Sequence, residues 1–128
     1  MPNSIAGLRI LVVEDEYFIA GDLRQALSDA GAKVIGPAPN LARASSVLDE
    51  SPVDFAILDV NLEGEDSFPI ADRLRAQNIK FMFVTGYDDW AIPEDYRDVP
   101  RMTKPYDIRT LIAFVGKLAT SGSTTAPS

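Results

Sequence analysis

Phe55-Ala56-Ile57-Leu58-Asp59 decides how this chain folds. Four apolar residues run unbroken into a carboxylate, the pattern of a short central strand buried on both faces, with Asp59 directly at its end. A second run of this kind at residues 8–13, rich in β-branched residues, stops at Glu14-Asp15-Glu16. Between the two, Ile19, Leu23, Ala26, Leu27 and Ala30 fall at helical spacing from about Glu16 onward, with Asp22, Arg24, Gln25 and Asp29 on the opposite face and Gly31 suited to the stop. A strand at 32–36 follows, ended by Pro37 and Pro39. Asn40 then caps a second helix whose stripe is Leu41, Ala44, Val47 and Leu48, and Ser51-Pro52 closes it.

Downstream of Asp59 a polar loop through Gly64 leads to a third helix. It carries Pro69 in its first turn and Ile70, Ala71 and Leu74 inward. The fourth strand is 81–84. Residues 86–100 lack clear periodicity and leave room for at most one short helix. A brief strand at 101–103 precedes Lys104-Pro105, and Ile108, Leu111, Ile112, Val115 and Leu118 mark the last helix. Five strands alternating with helices require right-handed crossovers, which gives an α/β domain: a doubly wound, five-stranded parallel sheet with helices on both faces and a short or irregular fourth helix. The expected boundaries are an N-terminal extension at 1–7, one domain at 8–119 and a flexible tail at 120–128.

The composition excludes several classes of function. A chain of 128 residues with 46% hydrophobic and 24% charged residues is one globular domain rather than a disordered segment. The net charge of −7, with no strongly basic run, argues against nucleic acid as a partner. No apolar stretch approaches the length of a spanning helix and the first seven residues lack signal-peptide character, so neither membrane nor export is expected and the reading is cytoplasmic. Cysteine and histidine are both absent, which removes disulfides, thiolate chemistry, Cys-based zinc sites and any His-dependent triad. The chemistry falls to carboxylates, hydroxyls and lysine.

In a doubly wound sheet, ligands bind outside the carboxyl ends of the strands, where the strand order reverses. The residues at those ends here are Glu14, Asp15 and Glu16, then Asp59, Thr85 and Lys104. Clustered carboxylates suit Mg²⁺, a hard ion that takes one or two carboxylates together with water and phosphate oxygens; without it some of them would have raised pKa values. An ammonium and a hydroxyl complete a phosphoryl clamp. Each residue also has a plainer reading. Asp59 is then a solvated strand end, Glu14 and Asp15 favour a helix N-terminus, Glu16 belongs to the helix's first turn, Thr85 caps a turn and Lys104 is a surface lysine.

Ile10-Leu11-Val12-Val13-Glu14-Asp15-Glu16, Phe55-Ala56-Ile57-Leu58-Asp59, Val84-Thr85-Gly86 and Thr103-Lys104-Pro105 together resemble the four signature segments of response-regulator receiver domains of two-component signalling. The resemblance spans about residues 8–118. It implies the flavodoxin-like receiver fold and assigns Asp59 as phosphoacceptor from the phosphohistidine of a sensor histidine kinase or histidine phosphotransfer protein. Glu14, Asp15, Asp59 and the backbone carbonyl of Asn61 are implied as Mg²⁺ ligands, Lys104 and Thr85 as phosphoryl contacts, and Gly86 as the opening for the phosphoryl group. The side chains of Asn61 and Tyr87 stand where the family tunes the lifetime of the aspartyl phosphate. Such a domain is no enzyme beyond its own phosphorylation and dephosphorylation.

Two departures stand out. The family's aromatic switch, three residues before the lysine, is here Arg101, which leaves Tyr87, Trp90 or Tyr106 as substitutes. The stretch from Thr85 to Lys104 is also shorter than usual. Phe83-Val84-Thr85-Gly86-Tyr87 resembles the Phe-Ala-Thr-Gly motif of an atypical, often single-domain receiver group found mainly in alphaproteobacteria, whose members partner unusual histidine kinases. Alternatives are a phosphorylation-independent docking module, a receiver excised from a larger hybrid kinase or regulator, and a dehalogenase-like phosphatase. Asn61 speaks against the last, because such enzymes place a second acid there.

Overall fold

The structure, a computed structural model, describes residues 4–86 and 92–120. Strands β1 (Arg9–Val13), β2 (Lys33–Ala38), β3 (Phe55–Asp59), β6 (Lys80–Thr85) and β7 (Arg101–Thr103) form one parallel sheet in the order β2-β1-β3-β6-β7. Helices α1 (Tyr17–Asp29), α2 (Leu41–Glu50), α3 (Phe68–Ala76) and α4 (Ile108–Ala119) cover it. This is the expected doubly wound α/β architecture. The chain steps outward from β1 to β2 and then crosses to β3 on the other side, so the order reverses between β1 and β3. Their carboxyl ends present Glu14-Asp15 and Asp59 side by side.

The alternation of side chains along the strands sorts the core into two layers. Leu11, Val13, Ala56, Leu58, Phe81 and Phe83 pack toward α2 and α3, with Ala44, Leu48, Ile70 and Leu74. Ile10, Val12, Phe55, Ile57, Met82 and Val84 pack toward α1 and α4, with Leu23, Leu27, Leu111 and Val115. β3 is buried along its whole length, as its unbroken apolar run requires. At the opposite end of the sheet Asp54 accepts from the Arg9 backbone N–H and Nε through one oxygen, at 2.8 and 3.0 Å, and from Nη2 through the other at 2.9 Å. That clamp fixes where β1 and β3 begin.

Asn40 caps α2 through a bond from the Arg43 N–H to its Oδ1 at 2.9 Å, and Pro69 sits in the first turn of α3, both as expected. Two local features differ from the sequence reading. β2 runs on past Pro37 to Ala38. It is an edge strand, where a missing N–H costs no ladder bond, and its register with β1 shifts between Leu11 and Val13. Gly36 allows this at φ +96°, where a Cβ would meet the Ala38 nitrogen at 2.8 Å. The polar loop after Asp59 is a small hairpin, β4 (Asn61–Leu62) against β5 (Glu65–Asp66), turning through Glu63 (φ 52°) and Gly64 (φ 89°) and anchored by buried Leu62. Between β6 and β7 the described residues hold a single 3-10 turn, Glu94–Tyr96, and no α-helix, in keeping with the expected short or irregular fourth helix. No helix among the described residues is long and apolar enough to cross a membrane.

Candidate functional site

Each strand end delivers one functional group. β3 ends in Asp59, 7% exposed, and β1 leads straight into Glu14, 4% exposed. The half-buried Asp15 follows. Carboxylate oxygens of Glu14, Asp15 and Asp59 lie within 4.8 Å of one another. Lys104, one residue past β7, places Nζ 2.9 Å from Glu14 Oε1 and 2.9 Å from Asp59 Oδ2. Its own N–H donates to the Thr85 carbonyl at 2.7 Å, so the lysine is held between the ends of β6 and β7.

The electrostatics follow from this crowding. Burial, and then the neighbouring Asp59 charge, push the Glu14 carboxyl up to about 7 from its ordinary 4.5, against the Glu16 N–H and Lys104, which pull it down. For Lys104 burial works against the charge, but the Asp59 and Glu14 carboxylates outweigh it and hold the ammonium above its usual value. Tyr106, half-buried beside these groups, has its phenol pushed up to about 12 by burial first and the Glu14 charge second. One ammonium thus serves carboxylates that would otherwise repel one another, and the set is built for a further positive charge.

Backbone donors complete the cradle. The Asn61 N–H donates to Asp59 Oδ1 at 3.1 Å and the Glu16 N–H to Glu14 Oε2 at 3.0 Å. Across 48 residues of sequence, the Glu63 N–H donates to Asp15 Oδ2 at 2.9 Å. The β4–β5 turn is therefore tied to the acidic cluster. The Asn61 side chain braces that same turn, accepting from the Gly64 N–H at 3.1 Å. Glu16 is exposed and precedes α1.

Thr85 Oγ1 is buried and, among the described residues, has no hydrogen-bond partner. A buried hydroxyl left unpaired is costly, and one at the mouth of a carboxylate site is a donor waiting for an acceptor. Three oxygen ligands for a hard cation and an orphaned hydroxyl next to them fit a divalent ion and a phosphoryl group. Gly86 is exposed, and a Cβ there would meet no described atom within 4 Å. A cavity of about 450 Å³ lined by Ile19, Asp22, Gly86, Lys104, Pro105 and Tyr106, among others, opens beside the cluster.

Glu14, Asp15, Asp59, Asn61, Thr85, Gly86 and Lys104 are thus gathered at one end of the sheet, and Tyr106 borders them. Arg101 lies on β7, where Nη2 donates to the Arg97 carbonyl at 2.9 Å. Tyr87 and Trp90 lie outside the described residues. Sequence reasoning missed Tyr96, which is buried in the 3-10 turn and stacks on Phe68 with ring centroids 5.1 Å apart. The spacing of Ile92, Tyr96 and Val99, all buried, was the signal.

A family model described as the response regulator receiver domain matches residues 10–115. The chain is 34% identical over 105 residues to the sensory transduction protein LytT of Bacillus subtilis, covering 78% of this chain and 43% of that protein. It spans about half the length of the first curated relatives it matches. The solution structure of SdrG from Sphingomonas melonis Fr1 is 35% identical, with a TM-score of 0.70 over 86% of this chain and 95% of that one. A structure of SdrG described as its BeF3-activated conformation is 36% identical at the same TM-score, over 86% of this chain and 98% of that one. The receiver domain of PhyR from Erythrobacter litoralis, at 20% identity and a TM-score of 0.80 over 96% and 97% of the two chains, shares the fold.

Proposed function

We propose, from the premise that this chain belongs to the response regulator receiver domain family, that Asp59 accepts a phosphoryl group from the phosphohistidine of a sensor histidine kinase or histidine phosphotransfer protein. The observation that carries the reading is Lys104 Nζ, poised 2.9 Å from both Asp59 and Glu14 with the Asp15 carboxylate in the same cluster. An Asp59 oxygen attacks phosphorus, the P–N bond to the partner's imidazole breaks, and the imidazole leaves with the bonding pair. Lys104 holds the Asp59 oxygen and then pairs with a phosphoryl oxygen. Thr85 donates its buried hydroxyl to another. Glu14, Asp15, Asp59 and the Asn61 carbonyl are the residues to hold Mg²⁺, which when bound neutralises the carboxylates and the phosphoryl oxygens.

Gly86 leaves the approach to Asp59 open, and the side chains of Asn61 and Tyr87 influence how water reaches the aspartyl phosphate. The receiver unit is residues 8–119, flanked by an extension at 1–7 and a tail at 120–128. Signalling is by protein–protein contact, either with a separate target or, since the first curated relatives it matches are about twice as long, with a further part of a longer regulator. The BeF3-activated conformation described for SdrG supports the use of beryllofluoride as a phosphoryl mimic here. The test is calorimetric titration with Mg²⁺, then with beryllofluoride, alongside Trp90 fluorescence, on the wild type and Asp59→Asn. Saturable binding of both ligands by the wild type, with the mimic lost in the variant, supports the phosphoacceptor. No binding of either ligand turns the reading to a phosphorylation-independent docking module.

A further inference from the structure

Two buried hydroxyls have no partner among the described residues, Thr85 Oγ1 and Ser67 Oγ. They flank one residue. The Val60 N–H donates to the Val84 carbonyl at 3.0 Å, next to Thr85, and the Val60 carbonyl accepts from the Ser67 N–H at 2.9 Å. Val60 immediately follows Asp59. The segments on either side of the phosphoacceptor's strand end therefore carry two buried side-chain hydroxyls without a partner among the described residues, one on β6 and one at the start of α3. That arrangement leaves free energy to gain when an acceptor arrives at Asp59.

Below them on the same face of the sheet lies an aromatic cluster. Phe83, two residues before Thr85 on β6, meets Phe68 and Tyr96 edge-on at 5.7 and 5.9 Å. Phe68, directly after Ser67, stacks on Tyr96 with rings 14° apart. The Arg75 guanidinium of α3 stands 4.8 Å from the Tyr96 ring centroid and donates to the Asp95 carbonyl and the Asp98 carboxylate, each at 2.9 Å. Arg101, at the position where the family usually carries an aromatic switch, donates to the Arg97 carbonyl. Tyr96 is thus the ring at which α3, β6 and the turn leading to β7 meet.

We propose that Tyr96 is a positioning residue that couples occupancy of the Asp59 site to the placement of residues 92–100 and β7, through its contacts with Phe68 and Phe83. The inference rests on the phosphoacceptor reading. A phosphoryl oxygen that engages Thr85 draws the end of β6 toward Asp59. Phe83 shifts with its strand, and because its N–H donates to the Pro100 carbonyl at 2.9 Å, the strand and the turn move as one packed unit. The ring stack transmits the shift because interdigitated rings have discrete packings rather than a continuum. The Tyr96 hydroxyl is secondary: its contact with the Phe68 carbonyl is 3.5 Å, too long to dominate.

Amide hydrogen exchange tests this on the full chain with Mg²⁺, with and without beryllofluoride. It is read at Tyr96, Arg97 and Val99, whose N–H groups bond within the turn, and at Phe83. In the wild type the mimic changes protection at these amides about five-fold or more. Tyr96→Leu binds the mimic with affinity close to the wild type but loses that change, and Tyr96→Phe keeps it. Phe68→Leu, which removes the stacking partner and leaves Tyr96 in place, loses it as well and serves if Tyr96→Leu does not fold. Retention of the full change in the leucine variants, or its loss in Tyr96→Phe, overturns the proposal. If the wild type binds the mimic and these amides do not respond, the coupling alone fails; if the wild type does not bind the mimic, the phosphoacceptor reading fails and the coupling with it.

Discussion

Lys104 Nζ donates to Asp59 Oδ2 at 2.9 Å, joining the residue after β7 to the end of β3 across the intervening strand β6. The same ammonium reaches Glu14 at 2.9 Å, so its removal leaves two buried carboxylates facing each other. Lys104→Ala is expected to destabilise the metal-free protein by about 2 kcal/mol, less than for a fully buried pair because the lysine is partly solvated. Mg²⁺ should return much of that stability by supplying the missing charge. Urea unfolding with and without Mg²⁺ measures both effects, and equal stability of variant and wild type in the absence of metal would refute the account.

Glu14 makes the metal-free protein sensitive to pH. Its folded-state value of about 7, set by burial and Asp59, lies above the ordinary 4.5. Between those values the folded chain holds more protons than the unfolded chain, so stability falls as pH rises through the interval. Metal-free unfolding free energy should therefore decline between about pH 5 and about pH 8. Glu14→Gln should flatten the decline. Mg²⁺ binding, which requires the ionised carboxylate, should release a proton near neutral pH, visible as a buffer-dependent heat in calorimetry.

The carboxylate site was legible because each of its groups follows a strand that the apolar runs announce. Phe55 to Leu58 can only be buried, and the residue after such a run must emerge at the end of the sheet. The ties between elements were not legible. The bond from the Glu63 N–H to Asp15 joins positions 48 apart through a backbone donor, which no side-chain pattern encodes. The β4–β5 hairpin has two residues per strand and turns at Glu63-Gly64, too short for an alternating signal. Pro37 reads as a strand terminator unless the strand is known to be an edge. Tyr96 was hidden because a single 3-10 turn gives only one repeat of the Ile92, Tyr96, Val99 spacing.

Asp54 gives a change that touches folding and leaves the site alone. It lies at the amino end of β3, and its hydrogen bonds from the Arg9 side chain hold its carboxyl below the ordinary 3.8. A depressed carboxylate contributes stability that is present above its unfolded value and is lost as pH falls through the folded one. Asp54→Asn should therefore lower the urea midpoint at neutral pH, with the gap to the wild type closing in acid. The effect should be modest, since the Arg9 and Asp54 side chains are both partly exposed and their attraction is screened. Affinity for Mg²⁺ and for beryllofluoride should be unchanged; a loss there would mean the two ends of the sheet are coupled.

Thr85→Val separates the site's chemistry from its stability most cleanly. The hydroxyl is buried and unpaired among the described residues, so replacing it with an isosteric methyl removes an unsatisfied polar group and breaks no bond that the fold makes. The metal-free variant should be as stable as the wild type or more stable by up to about 1 kcal/mol. If the hydroxyl donates to the phosphoryl group, the variant should bind beryllofluoride roughly ten-fold more weakly, the size of one hydrogen bond to a charged acceptor. Mg²⁺ affinity should stay close to the wild type, because the metal's ligands are carboxylates and a carbonyl. Thermal unfolding and calorimetry on one preparation read all three. Unchanged affinity for the mimic would show that Thr85 does not contact the phosphoryl group, whereas a loss of stability would show that its hydroxyl already has a partner in the folded protein.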